Sequence, residues 1–356
     1  LLYKRFNTSF DKLYFETEVA DKGKQIVLDN VGKVFEKSED AIIFDGEKHG
    51  LHKRVFVTKD GNPTYEAKDM YLAPLQFKDF PFDTNIHVVA NEQKAYFQVV
   101  FKALELIDKK FKGRQLHLPM GMVNLVGKKM SSRTGTLITV DQLLEDIKGQ
   151  LENLVKNDKD AKEIETISEA TTVGAVKYSM LKVGPESDVV FDIKKSIDMQ
   201  GNSGPYLQYT YARIRSVLAK SRGDKKPRPK RKVRKHVVKQ KIVIRSREPV
   251  AKVEPPEQTY NPEELAVLRS FIHYPEVVQD AAKNYAPNLV CNYLFDLAQK
   301  YNTFYNKHRI LNLKHDEHNP GMERRTMGFR LILTAATGQI LANGLKLLGI
   351  SAPERM

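Results

Sequence analysis

Apolar positions along the first 145 residues fall in short runs that alternate with helical spacing. Ala41-Ile42-Ile43-Phe44 and Arg54-Val55-Phe56-Val57 read as strands on either side of Gly50. Asn85-Ile86-His87-Val88-Val89-Ala90 is a β-branched run bounded by polar residues, the pattern of a buried strand. From Glu92 to Asp108 the apolar residues Tyr96, Phe97, Val99, Val100, Ala103, Leu104 and Leu106 recur at helical spacing, and Leu116 to Val126 reads as extended again. Strand, helix, strand in that order predicts a βαβ unit with a parallel sheet. From Thr139 the pattern turns helical. Thr139 and Gln142 fit a capping box before an amphipathic run that ends near Asn157. Mostly helix is predicted over 160–220, 263–310 and 324–349, the last closed by Gly349 with Pro353 just beyond. No internal repeat is visible. The chain divides into an α/β part, a helical connector and an all-α part.

Charge changes this picture at one place. The net charge is +14, and residues 221–252 carry +12 of it, with 14 Lys/Arg against Asp224 and Glu248. Self-repulsion and prolines argue for an extended insertion at about 222–258. It reads either as a solvated linker or as a phosphate-binding arm, because clustered cations displace counterions from nucleic acid. The remainder is nearly neutral, and with 41% hydrophobic residues, 17 Phe and 15 Tyr it can fill a core. A disordered or collagen-like chain is excluded. The single cysteine, Cys291, excludes an internal disulfide and a four-cysteine zinc site, and suits a reducing cytoplasm. No run of about 18 apolar residues occurs, so no membrane-spanning helix is expected. No basic-then-apolar leader opens the chain. Residue 1 is Leu, in mid-pattern, which reads as a piece of a longer protein.

Three constellations could carry chemistry. The first is Gly121-Met122-Val123-Asn124-Leu125-Val126-Gly127-Lys128-Lys129-Met130-Ser131-Ser132-Arg133-Thr134-Gly135. A phosphate-binding P-loop needs four residues between its glycines. Five separate Gly121 from Gly127, so that reading fails. The second is Tyr65 and Asp69, at i and i+4 on one face of a helix. A carboxylate beside a phenol suits a guanidinium, whose five donors form a fixed fork. The plainer reading is an exposed helix start. The third is Gly204-Pro205-Tyr206-Leu207-Gln208-Tyr209-Thr210-Tyr211-Ala212-Arg213, opening an aromatic and basic helix. Such rings stack unpaired RNA bases, or they fill the core of a helix bundle.

Lys129-Met130-Ser131-Ser132-Arg133 resembles the K-M-S-K-S loop of class I aminoacyl-tRNA synthetases, in the version found in arginyl-tRNA synthetases. Ser132 stands where the short pattern has Lys, and Arg133 where it has Ser. Asp60-Gly61-Asn62-Pro63-Thr64-Tyr65 with Asp69 resembles the segment of that family that holds the substrate side chain, and Gln93 matches a Gln that contacts the amino acid. The helix from Gly204 resembles the opening of the family's anticodon-binding domain. Ala342-Asn343-Gly344-Leu345 through Met356 resembles its carboxyl terminus.

The resemblance covers nearly the whole chain except about 222–258. It implies the second half of a Rossmann-like catalytic domain at 1–148, a helical connector at 149–200 and a helical-bundle anticodon-binding domain at 201–356. It implies activation of arginine by ATP, with Mg2+ as counter-ion, and transfer to the arginine tRNA, in the cytoplasm and as a monomer. The implied roles put Lys129, Ser131, Ser132 and Arg133 at the phosphates. Tyr65, Asp69 and Gln93 fall on arginine, Gly121, Met122 and Val123 at the adenine, and Tyr206, Tyr209 and Arg213 on tRNA. The alternative is a non-catalytic tRNA-binding protein that kept the fold. A cysteine-specific relative would bring zinc ligands that one cysteine does not supply. His49-Gly50-Leu51-His52 has the wrong order for the family's H-I-G-H signature, which is expected upstream of this chain; without it, the chain is expected to be inactive alone. His315-Asp316-Glu317-His318 reads as a loop, and no metal is expected.

Overall fold

In the computed structural model the described residues are 2–126, 139–155, 161–223, 260–312 and 322–356. They divide into two units, Leu1–Asp141 with Val183–Asp192 and Tyr285–Asn288, and Gln142–Lys182 with Ile193–Asn284 and Leu289–Met356.

The first unit opens with helices α1 (Leu2–Arg5) and α2 (Glu16–Asp29). An antiparallel sheet of β1 (Glu36–Ser38), β2 (Ala41–Phe44) and β3 (Arg54–Val57) follows. Ile42 and Phe44 alternate inward along β2 as the pleat demands. On β3 the consecutive residues Phe56 and Val57 are both buried, because the register shifts opposite Ile42 and Ile43. Helix α3 (Tyr65–Asp79) then leads into β4 (Asn85–Ala90), a 3-10 turn (Asn91–Gln93), α4 (Lys94–Ile107) and β5 (Gln115–Met120). Strands β4 and β5 are parallel and in register from Asn85 opposite Gln115 to Ala90 opposite Met120. The βαβ unit is therefore as expected, but β4 is not the buried strand its β-branched run suggests: Ile86 is 39% and Val88 54% exposed, since one face of β4 is uncovered among the described residues. Val99, Val100, Ala103 and Leu104 of α4 join Ala67 and Met70 of α3 and the phenylalanines of the small sheet in one core.

The stretch expected as one extended segment, 116–126, is two strands. The chain leaves β5 at Gly121, and β6 (Val123–Leu125) pairs in parallel with β7 (Val189–Phe191). A Cβ on Gly121 would lie 2.1 Å from the Ser187 carbonyl oxygen, so only glycine permits this crossing.

The second unit is helical: α5 (Val140–Val155), α6 (Ala161–Leu181), α7 (Ile193–Ser196), α8 (Gly204–Ser221), α9 (Pro262–Lys283), α10 (Pro287–Lys307) and α11 (Met322–Leu347). Two expected helical stretches are interrupted. The run Val189-Val190-Phe191 forms β7 inside 160–220, where β-branched and aromatic residues favour extended backbone. The run 263–310 breaks at Tyr285, which takes a positive φ of 51° immediately before α10. The stop after α11 is as expected, with Gly349 at φ 65°. The expected connector, 149–200, contains α6, which belongs to the second unit, and β7, which belongs to the first. Leu207 and Ile214 of α8, Leu294, Leu297 and Tyr301 of α10 and Leu341 of α11 are fully buried in the bundle core. No helix among the described residues is long and apolar enough to cross a membrane.

Candidate functional site

Helix α3 begins directly after Thr64, whose hydroxyl donates to the Phe56 carbonyl at 3.0 Å and fastens the helix start to β3. That start sets Tyr65 and Asp69 one turn apart. The 3-10 turn after β4 delivers Gln93. These three side chains line one cavity of about 480 Å³ together with Arg54, Glu66, Glu92, Tyr96 and Phe97. The structure thus brings together all three residues that the sequence assigns to the amino acid. Five further ones were not singled out. Tyr96 and Phe97 read as part of the apolar stripe of α4, Arg54 as the start of a strand, and Glu66 and Glu92 as neighbours of assigned residues.

The cavity is acidic. Glu66 accepts a hydrogen bond from Arg54 Nη1 at 2.9 Å, which neutralises one carboxylate. Asp69 accepts from the Tyr96 hydroxyl at 2.6 Å, and among the described residues no cation stands within ion-pair distance of it. Burial pushes the Asp69 carboxyl above the usual carboxylate range, against the Tyr96 hydrogen bond that favours its charged form. Burial and the adjacent Asp69 push the Tyr96 phenol up, so Tyr96 stays a donor. Tyr65 is 68% exposed, with the Lys68 ammonium 4.7 Å from its ring centre. A half-buried carboxylate without a cation, one helical turn from an exposed tyrosine, is a receptor for a cation with several donors.

Behind the cavity, His87 and His117 sit opposite each other on β4 and β5, and the His117 ring stacks on Phe97 at 4.7 Å. Burial lowers the pKa of His87. These histidines are packing residues under α4.

The turn 121–123 leaves the same sheet edge as Gln93, since Ala90 and Met120 are register partners at the carboxyl ends of β4 and β5. Open α/β sheets place ligands at that edge. Asn91 Nδ2 donates to the Glu186 carbonyl at 2.8 Å and ties the 3-10 turn to the segment before β7. The Gly121 N–H donates to Pro185 O at 2.8 Å, the Met122 N–H to Asp188 Oδ1 at 2.7 Å, and Met122 O accepts from the Val189 N–H at 2.8 Å. The fold therefore uses the N–H groups of both residues, while the Met122 side chain stands 52% exposed. Lys129, Ser131, Ser132 and Arg133 lie outside the described residues, as do 224–259 and His315 to His318.

In the second unit Ser203 caps α8, accepting from the Tyr206 N–H at 3.1 Å. The three residues assigned to RNA separate in burial. Tyr206 is 8% exposed and meets Phe295 edge-on at 5.5 Å, so its ring belongs to the core and offers no face to a base. This corrects the expectation that it stacks. Spacings of three and four put Tyr206 near the face shared by Tyr209 and Arg213, but α10 covers it. Its hydroxyl accepts from Asn302 Nδ2 at 2.9 Å, and Asn302 Oδ1 accepts from Arg213 Nη1 at 2.8 Å. Tyr209 is 39% exposed. The Arg213 guanidinium lies between two rings, 4.8 Å from Tyr209 and 4.9 Å from Tyr305. Tyr305 also lines a cavity of about 430 Å³ with Lys220, Lys307, His308 and Arg309. Hydrogen bonds from Lys307 and His308 hold the Glu263 carboxyl down at about 2, so it remains a carboxylate there. The basic, aromatic surface spans α8 and α10. Tyr305 and the cations after it were legible in the sequence only as helix residues.

Comparisons with known proteins divide the chain near residue 200, so that Gln142–Lys182 of the second unit falls within the catalytic-domain match. The family of class I tRNA synthetases (R), catalytic domain, matches residues 5–193, and the DALR anticodon binding domain matches 207–356. The arginine--tRNA ligase of Parabacteroides distasonis is 34% identical over 361 residues, covering 99% of this chain and 55% of the relative. That of Phocaeicola vulgatus is 33% identical over 366 residues, with the same coverage. The fold is also that of the Thermus thermophilus arginyl-tRNA synthetase, with a TM-score of 0.75 at 23% identity over 99% of this chain and 61% of that one. The Plasmodium falciparum arginyl-tRNA synthetase gives 0.72 at 19% identity over 100% and 56%. The chain spans about half the length of the curated relatives it matches. With a catalytic-domain family matching more than half of its residues, the chain belongs to the class I arginyl-tRNA synthetases.

Proposed function

We propose that this chain is the part of an arginine-tRNA ligase that recognises the arginine side chain and the arginine tRNA. The observation that carries the reading is the convergence of Tyr65, Asp69 and Gln93 in one acidic cavity at the carboxyl edge of the β4–β5 sheet. A protein that only binds RNA has no use for a half-buried carboxylate left without a cation. In the reaction, ATP and arginine form arginyl-adenylate and pyrophosphate, and the arginyl group then passes to the terminal adenosine of the tRNA. Asp69 pairs with the guanidinium, Tyr65 stacks on it, and Gln93 holds the amino acid. Met122, beside Gly121 and Val123, offers its side chain to the adenine. Lys129, with Ser131, Ser132 and Arg133, neutralises charge that builds on the phosphates as pyrophosphate leaves. Mg2+ arrives with the nucleotide.

The tRNA contacts fall to Tyr209, Arg213 and Tyr305, with Tyr206 holding Arg213 from below through Asn302. We assign residues 1–148 to the catalytic half, 149–200 to the connector and 201–356 to the anticodon domain. The single, buried Cys291 suits the reducing cytoplasm. The 356 residues contain no H-I-G-H segment, and we propose that alone they bind arginine without forming the adenylate. Calorimetric titration of the chain with L-arginine and L-lysine tests the pocket, and arginine-dependent pyrophosphate exchange tests the catalytic limit. Equal binding of both amino acids sinks the arginine assignment. Exchange well above background sinks the limit on activity.

A further inference from the structure

The pocket holds a guanidinium of its own. Arg54 lines the same cavity as Asp69, and its head group lies over the Tyr96 ring, 5.4 Å from the centre. The hydroxyl of that ring is hydrogen-bonded to Asp69. The protein's own arginine therefore stands one aromatic ring away from the carboxylate to which a ligand's guanidinium would go. Arg54 is also incompletely satisfied. Nη1 donates to Glu66, while Nε is buried without a hydrogen-bond partner. A buried donor left unmade is costly, so this side chain has a reason to seek a second acceptor. Glu66 opposes that move. It is 9% exposed, sits on the first turn of α3, and its carboxylate makes the ion pair with Arg54.

We propose that Glu66 is a specificity-determining residue of this pocket: it holds the Arg54 guanidinium aside and so keeps Asp69 open for a guanidinium that arrives with the ligand. The proposal rests on the arginine reading of the pocket. Without the Glu66 charge, Arg54 is a long, flexible cation tethered beside an uncompensated buried carboxylate. Binding to Asp69 then becomes an intramolecular event at high effective concentration. Affinity for free arginine falls by the fraction of time the site stays open. The groups that face Asp69 fit this arrangement: the Tyr96 hydroxyl favours its ionised form, Glu66 opposes it, His87 is held toward its neutral form by burial, and Arg54 is turned to Glu66.

The test is calorimetric titration of L-arginine into the 356-residue chain and its variants. Glu66→Gln should weaken arginine binding by at least about tenfold, corresponding to a site that Arg54 fills nine-tenths of the time. Replacing Arg54 as well, in R54M/E66Q, should recover at least about half of that loss on a logarithmic scale. A residue that merely shaped α3, or that touched the ligand itself, would not be rescued by a second mutation. Unchanged arginine affinity in E66Q, or a double variant as weak as E66Q, overturns the proposal. Where E66Q alone gives little folded protein, R54M/E66Q and Glu66→Asp carry the test. Glu66→Asp keeps the charge and should bind arginine at least as well as R54M/E66Q, and a Glu66→Asp about tenfold weaker than R54M/E66Q overturns the proposal. Asp69→Asn run in parallel separates the two readings. If Asp69→Asn destroys arginine binding and E66Q leaves it intact, the Glu66 proposal falls alone. If neither changes it, the arginine pocket falls.

Discussion

Tyr65 with Asp69 and Tyr209 with Arg213 are the same motif in opposite charge. Each sets a tyrosine and an ionised group four residues apart on one helix face. On α3 the charged member is drawn inward, hydrogen-bonded by Tyr96 and short of a cation, while its tyrosine stays exposed with the Lys68 ammonium over its ring. On α8 the charged member is already enclosed by two rings and an asparagine. The first is a pocket with an uncompensated carboxylate. The second is a platform whose charged member is already enclosed. Identical spacing therefore yields a pocket in one place and a surface in the other, and what differs is the neighbouring helix. Helix α4 supplies a hydroxyl that leaves the Asp69 charge uncompensated. Helix α10 supplies Asn302 and Tyr305, which complete the partnership of Arg213.

The largest expected effect tests the platform from beneath. Tyr206→Ala should destabilise the second unit by roughly 3–5 kcal/mol, as large-to-small changes in cores do. Chemical denaturation followed by circular dichroism measures it. A variant as stable as the parent would return Tyr206 to the surface and to the list of stacking residues. Next comes the pocket. Truncating one partner of a buried charge pair costs about 2–5 kcal/mol. Asp69→Asn should therefore weaken arginine by on the order of 100-fold and leave nucleotide binding nearly unaltered. Equal losses for both ligands would make Asp69 a structural residue.

Tyr209→Ala should do little to stability, because the ring is partly exposed, but should lower affinity for tRNA by about 1–3 kcal/mol, the value of one stacked base. A fluorescence titration with the arginine tRNA at several salt concentrations reads it. A changed salt slope with unchanged affinity would mean that Arg213, not the ring, makes the contact. The smallest effect is the stability of the first unit. Burial raises the Asp69 pKa above its unfolded value, so the native state holds its proton to higher pH than the unfolded chain does. Stability should fall as pH rises from the ordinary carboxylate range, about 3.9, through the raised native value, and level off above it. Asp69→Asn removes that slope and should slightly raise the melting temperature of the unliganded chain at neutral pH. Parallel pH profiles for the two proteins would show that Asp69 is not desolvated.

Local pattern was sufficient to place β2, β3, β4 and α4, because each strand is a short apolar or β-branched run and α4 carries an apolar stripe of period 3.6. It failed at Gly121 and at β7. There the deciding interaction is a parallel pairing between Val123 and Val189, 66 residues apart, which leaves no periodic mark on either segment. Asp69, Tyr65 and Gln93 were legible as a set through resemblance and chemistry. Arg54, Glu66 and Tyr96 were not, since a strand-opening arginine, a helix-start glutamate and one aromatic in an apolar stripe carry no signal of convergence.

By itself the sequence determined where most helical and extended segments lie, where the positive charge lies, and which side chains have the donors and acceptors to hold a guanidinium or a base. Those are properties of a residue and its near neighbours along the chain. Only the tertiary structure decided that Tyr206 is core while Tyr209 is surface, that Arg213 is sandwiched by Tyr305, and that Arg54 is turned to Glu66 and leaves Asp69 open. Burial and ion pairing are set by what other elements bring within a few ångströms, and no residue encodes its distant neighbours.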